Sequence, residues 1–121
     1  MNILTNSWFL LGILLWHWFL DFIIQRDIDA RNKWRSDQHL NNHLLTYSLG
    51  WFIMLWPFFG SDIALGFTVI TALVHGPTDW ITSRISHYYF VREKYKQGFI
   101  TVGFDQILHY VQLYLTFKLL L

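Results

Sequence analysis

The sequence lacks cysteine altogether and contains little charge. Without cysteine, neither a disulfide framework nor a thiolate metal site can form, so a metal would need imidazole, carboxylate or water ligands. Asp, Glu, Lys and Arg make up only 14% of the 121 residues, against roughly 25% in ordinary soluble domains. The net charge is +1 and the basic residues lie in two short clusters, so we expect no nucleic-acid partner.

Established sequence motifs for catalysis are also missing. The chain has no phosphate loop, no dinucleotide-binding glycine motif, no HExxH zinc helix and no motif for a serine or cysteine nucleophile. Evidence for function therefore has to come from the placement of individual polar residues.

Apolar residues dominate the chain, which is 54% hydrophobic and 20% aromatic. A helix needs about 20 mainly apolar residues to cross a bilayer. We therefore predict an all-α fold: a membrane four-helix bundle that forms a single transmembrane domain over residues 1–121, with a short interfacial helix near Tyr88 in a loop. The four spans are predicted at about residues 7–24, 43–59, 62–83 and 99–121.

The basic residues predict an orientation for these spans. Eight of the nine Lys and Arg residues fall in two loops, residues 26–42 and 84–98, and Lys118 is the exception. The positive-inside rule places both loops in the cytoplasm and both termini outside it. The expected location is the inner membrane of a bacterium, with the lipid bilayer as the surrounding partner.

Three of the predicted spans each carry one His and one Asp four residues apart. Ionisable side chains within a membrane are costly, so they indicate a functional site. A spacing of four places both members of a pair on one face of a helix. The three pairs are His17 with Asp21, His75 with Asp79, and Asp105 with His109.

The order of residues is reversed in the last pair, and the predicted direction of the last span is reversed as well. The three carboxylates are therefore predicted to form one layer near the cytoplasm, with the three imidazoles in a deeper layer. His43, at the start of the second span, is placed to close the carboxylate layer.

Metal binding is the favoured interpretation of these layers. We expect one or two divalent cations, Zn with Fe or Mn as alternatives, held by His17, His75 and His109. The carboxylates of Asp21, Asp79 and Asp105 are predicted as further ligands, as groups that orient the imidazoles, or as catalytic bases. The corresponding activity would be metal-dependent hydrolysis of a lipid or another amphiphile.

Two other interpretations stay open at this point. One is a small ion or proton channel or transporter, because chains of Asp and His relay protons. The other is a partner-binding membrane protein whose polar residues form a structural hydrogen-bond network. A homo-oligomer is one way for so small a protein to enclose a pocket.

Four further residues are secondary candidates for the site. Gln25 and Gln106 are placed to donate hydrogen bonds to a substrate oxygen or to a neighbouring helix. Lys33 and Arg84 border the predicted pocket mouth, where a cation can hold an anionic group or contact lipid headgroups.

An ordered set of short motifs runs through nearly the whole chain. The motifs are HWFLDFIIQ at 17–25, ARNKW at 30–34, His43, HGPTDWITSR at 75–84 and FDQILH at 104–109. On these motifs the chain resembles a family of small integral membrane proteins from phages and bacteria that is known only as a domain of unknown function. The resemblance implies a membrane protein with these polar positions as its signature and implies no established reaction. A looser similarity is to membrane-bound metal-dependent hydrolases with scattered His and Asp.

Overall fold

The computed structural model describes residues 3–121, which form helices and no strand. The all-α prediction is therefore confirmed for this part of the chain. After a short 3-10 turn, Ile3–Thr5, come α1 (Ser7–Trp18), a π-helical turn (Phe19–Ile23), α2 (Asp27–Asn32), α3 (Asp37–Phe59), α4 (Ser61–Phe90) and α5 (Tyr95–Leu120).

Local capping explains where the helices begin and turn. The Asn6 side chain accepts hydrogen bonds from the backbone of Trp8 and Phe9, which satisfies two of the free N–H groups at the start of α1. Ser36 caps α3 in the same way. Gly60 alone separates α3 from α4, with φ of 82°, a left-handed conformation that glycine adopts without a steric penalty. The two helices therefore form a tight antiparallel hairpin.

The prediction of an integral membrane protein is wrong. Along residues 3–121, no helix combines the length and the apolar character needed to cross a membrane. The α-helical part of the first predicted span has only 12 residues, and the longer helices carry the Asp, His and Gln residues that suggested a site. These polar residues lower the mean hydropathy of the helices below the value that a spanning segment requires. The predictions of four membrane spans, of an inner-membrane location and of an orientation for the termini therefore do not hold.

The helix boundaries also differ from the predicted ones. α3 begins at Asp37, so His43 lies in its second turn and not at its start. α4 continues through Tyr88 to Phe90, so that no separate interfacial helix exists in the described residues around position 88. Residues 27–32 form the short helix α2, which packs against α3. The predicted loops are thus largely helical.

The apolar core fills the end of the bundle that is remote from α2. Trp51 of α3, Phe67 of α4 and Phe117 of α5 are fully buried or nearly so. The ring centroid of Phe67 lies 5.0 Å from that of Trp51 and 4.4 Å from that of Phe117. Such aromatic contacts add to the burial of apolar surface. The opposite end of the bundle interior is polar.

Large apolar side chains also lie on the outward faces of the helices. Trp8 is 81% exposed, Phe58 74% and Leu73 70%. Extensive exposed apolar surface is a usual mark of an interaction surface. The predicted homo-oligomer stays a prediction, which sedimentation or light scattering of the purified chain will check.

The buried carboxylate of Asp29 attaches α2 to α3. Asp29 accepts hydrogen bonds from Arg26 Nε at 2.8 Å and from His39 Nδ1 at 2.7 Å. The hydrogen bond from Arg26, with a further contribution from His39, lowers the pKa of the Asp29 carboxyl to about 2, against an ordinary 3.8. Its ionised form therefore favours the folded state.

Replacing Asp29 with asparagine is expected to lower the free energy of unfolding at neutral pH by about 2 kcal/mol, because hydrogen bonds to charged groups are lost. The loss should be constant above about pH 5 and should shrink as the pH falls toward 2, where the native carboxyl also becomes neutral. Urea unfolding as a function of pH measures this. Asp27→Asn is the control, because that side chain is 81% exposed; an equal loss there would contradict the prediction.

Candidate metal centre

Four buried side chains from three helical segments converge at the polar end of the bundle. Asp21, His43, His75 and Asp79 each offer one ligand atom, and these atoms all lie within 4.8 Å of one another. His43 Nε2 lies 2.9 Å from Asp21 Oδ1, 3.3 Å from Asp79 Oδ2 and 3.2 Å from His75 Nε2. Two imidazoles and two carboxylates are a donor set that suits a divalent transition metal. This group can hold a metal ion.

A second group of ligands shares Asp21 with the first. Asp21, Asp105 and His109 also bring one ligand atom each within 4.8 Å of one another. His109 Nε2 lies 3.2 Å from Asp105 Oδ2 and 3.5 Å from Asp79 Oδ1. All members of both groups are buried. The two groups therefore form one continuous cluster.

Helical periodicity explains the members on α4 and α5. His75 and Asp79 are four residues apart, and their closest side-chain atoms are 3.6 Å apart. Asp105 and His109 repeat the spacing on α5. Because α4 packs against both α3 and α5, the inward faces of these helices meet at the cluster.

The π-helical turn Phe19–Ile23 carries Asp21. The backbone N–H of Ile24 donates to Phe19 O at 2.9 Å, the five-residue spacing of a π-helix. The turn continues α1, and the carboxylate of Asp21 within it belongs to both ligand groups. Single π-turns within helices are frequent at functional sites.

His17 lies beside the cluster and in neither ligand group. Its Nδ1 is 2.7 Å from Tyr47 Oη, and its Nε2 is 2.7 Å from Gln106 Oε1. Because Gln106 Oε1 can only accept, His17 Nε2 donates, and its Nδ1 accepts from the tyrosine hydroxyl. Gln106 Nε2 in turn donates to Asp21 Oδ2 and Asp105 Oδ2. The structure thus places the predicted ligand His17 in a supporting position, where it orients Gln106.

Lys33 contributes a positively charged side chain to this site. It follows α2 directly, and its Nζ donates to Asp79 Oδ2 at 2.9 Å. Burial works against its charge, but attraction to Asp79 and Asp21 outweighs burial and raises the pKa of the ammonium. Lys33 therefore stays protonated at neutral pH beside the carboxylates.

The other two secondary candidates have different positions. Gln25 lines the same cavity as the carboxylates, and its buried Nε2 has no hydrogen-bond partner among the described residues. Arg84 lies elsewhere: its guanidinium stacks on Trp80, donates to the Trp80 carbonyl and lies 4.0 Å from Asp37. It does not border the cavity in the described structure, because the stem of this side chain follows its own helix instead.

A cavity of about 370 Å³ opens from the cluster. The three carboxylates of Asp21, Asp79 and Asp105 line it, whereas no imidazole of His17, His75 or His109 does so in the described residues. The carboxylates thus lie on the cavity side of the imidazoles. The remaining walls include Lys33, Gln106, Ser83, and Trp34 stacked on His87.

The cluster perturbs its own acid–base equilibria. Burial opposes a charge on His109, yet hydrogen-bonding contacts with Asp105 and Asp79 raise the pKa of this imidazole to about 10. Burial likewise opposes ionisation of Asp21 and Asp79, but His43 and His75 hold the pKa of the Asp21 carboxyl below the ordinary value, and Lys33 and the imidazoles do the same for Asp79. Without a metal, protons on imidazoles balance the carboxylates, and a metal has to displace those protons.

Two residues of the site do not stand out in the sequence. Tyr47 bonds His17, and its ring stacks on His75 with centroids 4.0 Å apart. Thr82 donates to Asp105 Oδ1 at 2.5 Å. Tyr47 follows His43 by one helical turn, so the same four-residue spacing that revealed the Asp/His pairs could have identified it. Thr82 has no such signal.

No protein-family model, no curated protein and no solved structure matches this chain. The resemblance to a family of unknown function therefore stays a prediction.

Proposed function

We propose that this protein is a divalent-metal-dependent hydrolase whose substrate carries an anionic group. The observation that carries the proposal is the buried set of imidazole and carboxylate ligands whose carboxylates line an open cavity. Zn is the proposed metal, with Fe or Mn as alternatives, because the donors are imidazole and carboxylate without thiolate. Buried ligands next to an accessible cavity are what a catalytic metal needs, since one coordination position must stay open.

Buried polar atoms without a well-aligned hydrogen bond support a ligand site over a structural hydrogen-bond network. Asp21 Oδ1 lies 2.9 Å from His43 Nε2, and His109 Nε2 lies 3.2 Å from Asp105 Oδ2, yet within residues 3–121 neither atom has a hydrogen bond of good geometry. A network that served only stability would satisfy these atoms with protein groups. A bound cation would satisfy Asp21 Oδ1, and deprotonated His109 Nε2 would become a ligand.

The closed rear of the cluster favours a site over a transport path. Behind His75 and His109 lie Thr71 and Gln112, which hydrogen-bond each other through Gln112 Nε2 and Thr71 Oγ1 at 3.1 Å. Beyond them the interior consists of the fully buried rings of the apolar core. An ion path needs polar groups or water along its whole length.

In the proposed reaction, the cation supplies Lewis-acid polarisation of the scissile group and activation of water. His43, His75, Asp21 and Asp79 hold it. Asp105 lines the cavity next to these ligands and is the proposed proton acceptor, kept in position by the hydroxyl of Thr82. Lys33, on the cavity wall, holds the anionic group of the substrate.

Metal analysis combined with hydrolysis assays tests the proposal. The purified chain is loaded separately with Zn²⁺, Mn²⁺ or Fe²⁺, and nitrophenyl esters and phosphoesters serve as chromogenic substrates. We expect at least one stoichiometric metal per chain and hydrolysis that disappears with a chelator and returns with the metal. A folded protein that retains no stoichiometric metal would contradict the proposal, and metal binding without hydrolysis of any probe would refute its enzymatic part.

Replacing Lys33 with glutamine is expected to lower kcat/KM for a carboxylate-bearing nitrophenyl ester at least about tenfold, because a charge-assisted hydrogen bond to the substrate is lost. The matching neutral ester should change little when metal is saturating. Arg35→Gln is the control, since Arg35 is exposed and does not line the cavity. An equal decrease for both esters would contradict an anion-binding role.

A further inference from the structure

The two oxygens of Asp21 face different groups of the cluster. Oδ1 lies 2.9 Å from His43 Nε2 and 3.7 Å from His75 Nε2. Oδ2 instead accepts a hydrogen bond from Gln106 Nε2 at 2.9 Å. A carboxylate whose oxygens point to separate sets of ligands can bridge two cations.

The two oxygens of Asp79 also face different groups of the cluster. Its Oδ2 contacts His43 Nε2 and Lys33 Nζ, whereas its Oδ1 lies 3.5 Å from His109 Nε2. Asp79 and Asp21 thus both extend from the first ligand group toward His109. Asp21 belongs to both ligand groups, and Asp79 reaches from the imidazoles of α3 and α4 to the imidazole of α5.

The second ligand group contains a buried ligand atom, His109 Nε2, that has no well-aligned hydrogen bond within residues 3–121. His109 is 1% exposed, and its Nε2 lies 3.2 Å from Asp105 Oδ2 and 3.5 Å from Asp79 Oδ1 but makes no hydrogen bond of good geometry among the described residues. Gln106 Nε2 lies between Asp21 Oδ2 and Asp105 Oδ2, at 2.9 and 3.2 Å. The amide hydrogens thus supply the partial positive charge that these two carboxylates require. A cation would supply more of it.

We propose that the centre holds two divalent cations that share Asp21. The first is bound by Asp21, His43, His75 and Asp79, and the second by Asp21, Asp105 and His109. The proposal rests on the proposed function, because the first group must be a metal site. It gives Asp105 a ligand role in place of the proton-acceptor role assigned for a single cation.

The charges of the cluster identify what accompanies the second cation. Three carboxylates and the Lys33 ammonium give a net charge of −2 when the imidazoles are neutral. One divalent cation neutralises this charge, and a second leaves +2. Uncompensated buried charge is strongly unfavourable, so an anion must enter with the second cation. A phosphate monoester dianion has the matching charge, and paired cations are suited to phosphoryl oxygens.

Titration of the metal-free chain with Mn²⁺, with and without inorganic phosphate, tests this proposal. Without phosphate we expect one tight equivalent. With phosphate the second equivalent should bind at least about tenfold more tightly, since coupled ligands strengthen each other reciprocally. Electron paramagnetic resonance should then show a spin-coupled Mn²⁺ pair. Asp105→Asn and His109→Gln should each keep the first equivalent and lose the second, whereas Asp37→Asn, an exposed control, should keep both.

Results that contradict the second cation can be distinguished from results that contradict the proposed function. One equivalent under both conditions, lost in His75→Gln, overturns the second cation and leaves the metal-dependent hydrolase standing. No equivalent at all overturns both. If Asp105→Asn binds two equivalents but no longer hydrolyses substrate, Asp105 is the proton acceptor and the ligand assignment is wrong. Circular dichroism establishes whether each variant is folded. If a variant is unfolded, the metal stoichiometry of the unaltered chain decides between one cation and two.

Discussion

Replacing His75 with glutamine is expected to weaken binding of the first metal at least about 100-fold, or roughly 2.7 kcal/mol. The His75 ring is fully buried and stacked between Tyr47 and His109, with both centroids at 4.0 Å. Glutamine cannot place a ligand nitrogen where the imidazole Nε2 lies. Residues that merely orient ligands already contribute 10- to 100-fold in affinity, so a direct ligand contributes more.

Metal-dependent thermal stability offers a direct measurement of this loss. Metal at about 100 times its Kd stabilises the unaltered chain by roughly 2.7 kcal/mol, because only the folded state binds. In His75→Gln, a 100-fold weaker Kd leaves a stabilisation of only about 0.4 kcal/mol at the same metal concentration, so most of the rise in Tm should be lost. His87→Gln is the matched control: His87 stacks on Trp34 at the cavity wall and belongs to neither ligand group. A rise in Tm that persists undiminished in His75→Gln would exclude this residue as a ligand.

Truncation of Phe67 to alanine should lower the free energy of unfolding by about 3–5 kcal/mol, the usual cost of removing a large buried aromatic side chain. Phe67 contacts both Trp51 and Phe117, so its loss leaves a cavity between three helices. The metal stoichiometry should stay unchanged in conditions where the variant is folded, because the core and the metal centre occupy opposite ends of the interior.

Urea unfolding followed by tryptophan fluorescence measures this stability change. Phe58→Ala is the control, since Phe58 is 74% exposed and should change the stability by less than about 0.5 kcal/mol. Similar losses for the two variants would mean that the core at Phe67 is not the principal source of stability. Loss of metal from folded Phe67→Ala would show that the two ends of the bundle are coupled.

Helical spacing was enough to predict the arrangement within α4 and α5. A four-residue interval has one geometric consequence in an α-helix, so His75 with Asp79 and Asp105 with His109 could be paired from sequence. The interval between His17 and Asp21 appears identical in the sequence. There the ring nitrogens of His17 are taken by Tyr47 and Gln106, which depends on neighbouring helices and not on spacing.

Tertiary contacts explain what sequence reasoning did not predict. His43 was given a minor role, but the longer α3 places it inside the bundle, where its Nε2 contacts both Asp21 and Asp79. Lys33 reaches the site because α2 packs on α3, and no local pattern specifies that packing. Composition proved the weakest guide: apolar and aromatic abundance suggested spanning helices, whereas the polar residues inside α4 and α5 make those helices too polar to span.

The π-turn at Phe19–Ile23 gives the centre an unusual sensitivity to chain length. A π-turn holds one residue more than the α-helical turn it replaces. Loss of one codon in this stretch would let the helix return to regular winding, which reorients the side chains inside the turn, Asp21 among them, relative to the rest of the bundle. Such a deletion could spare all six members of the Asp/His cluster and the supporting His17, yet misalign the carboxylate common to both ligand groups. Alignments of related chains should therefore be examined for gaps here before they are examined for substitutions.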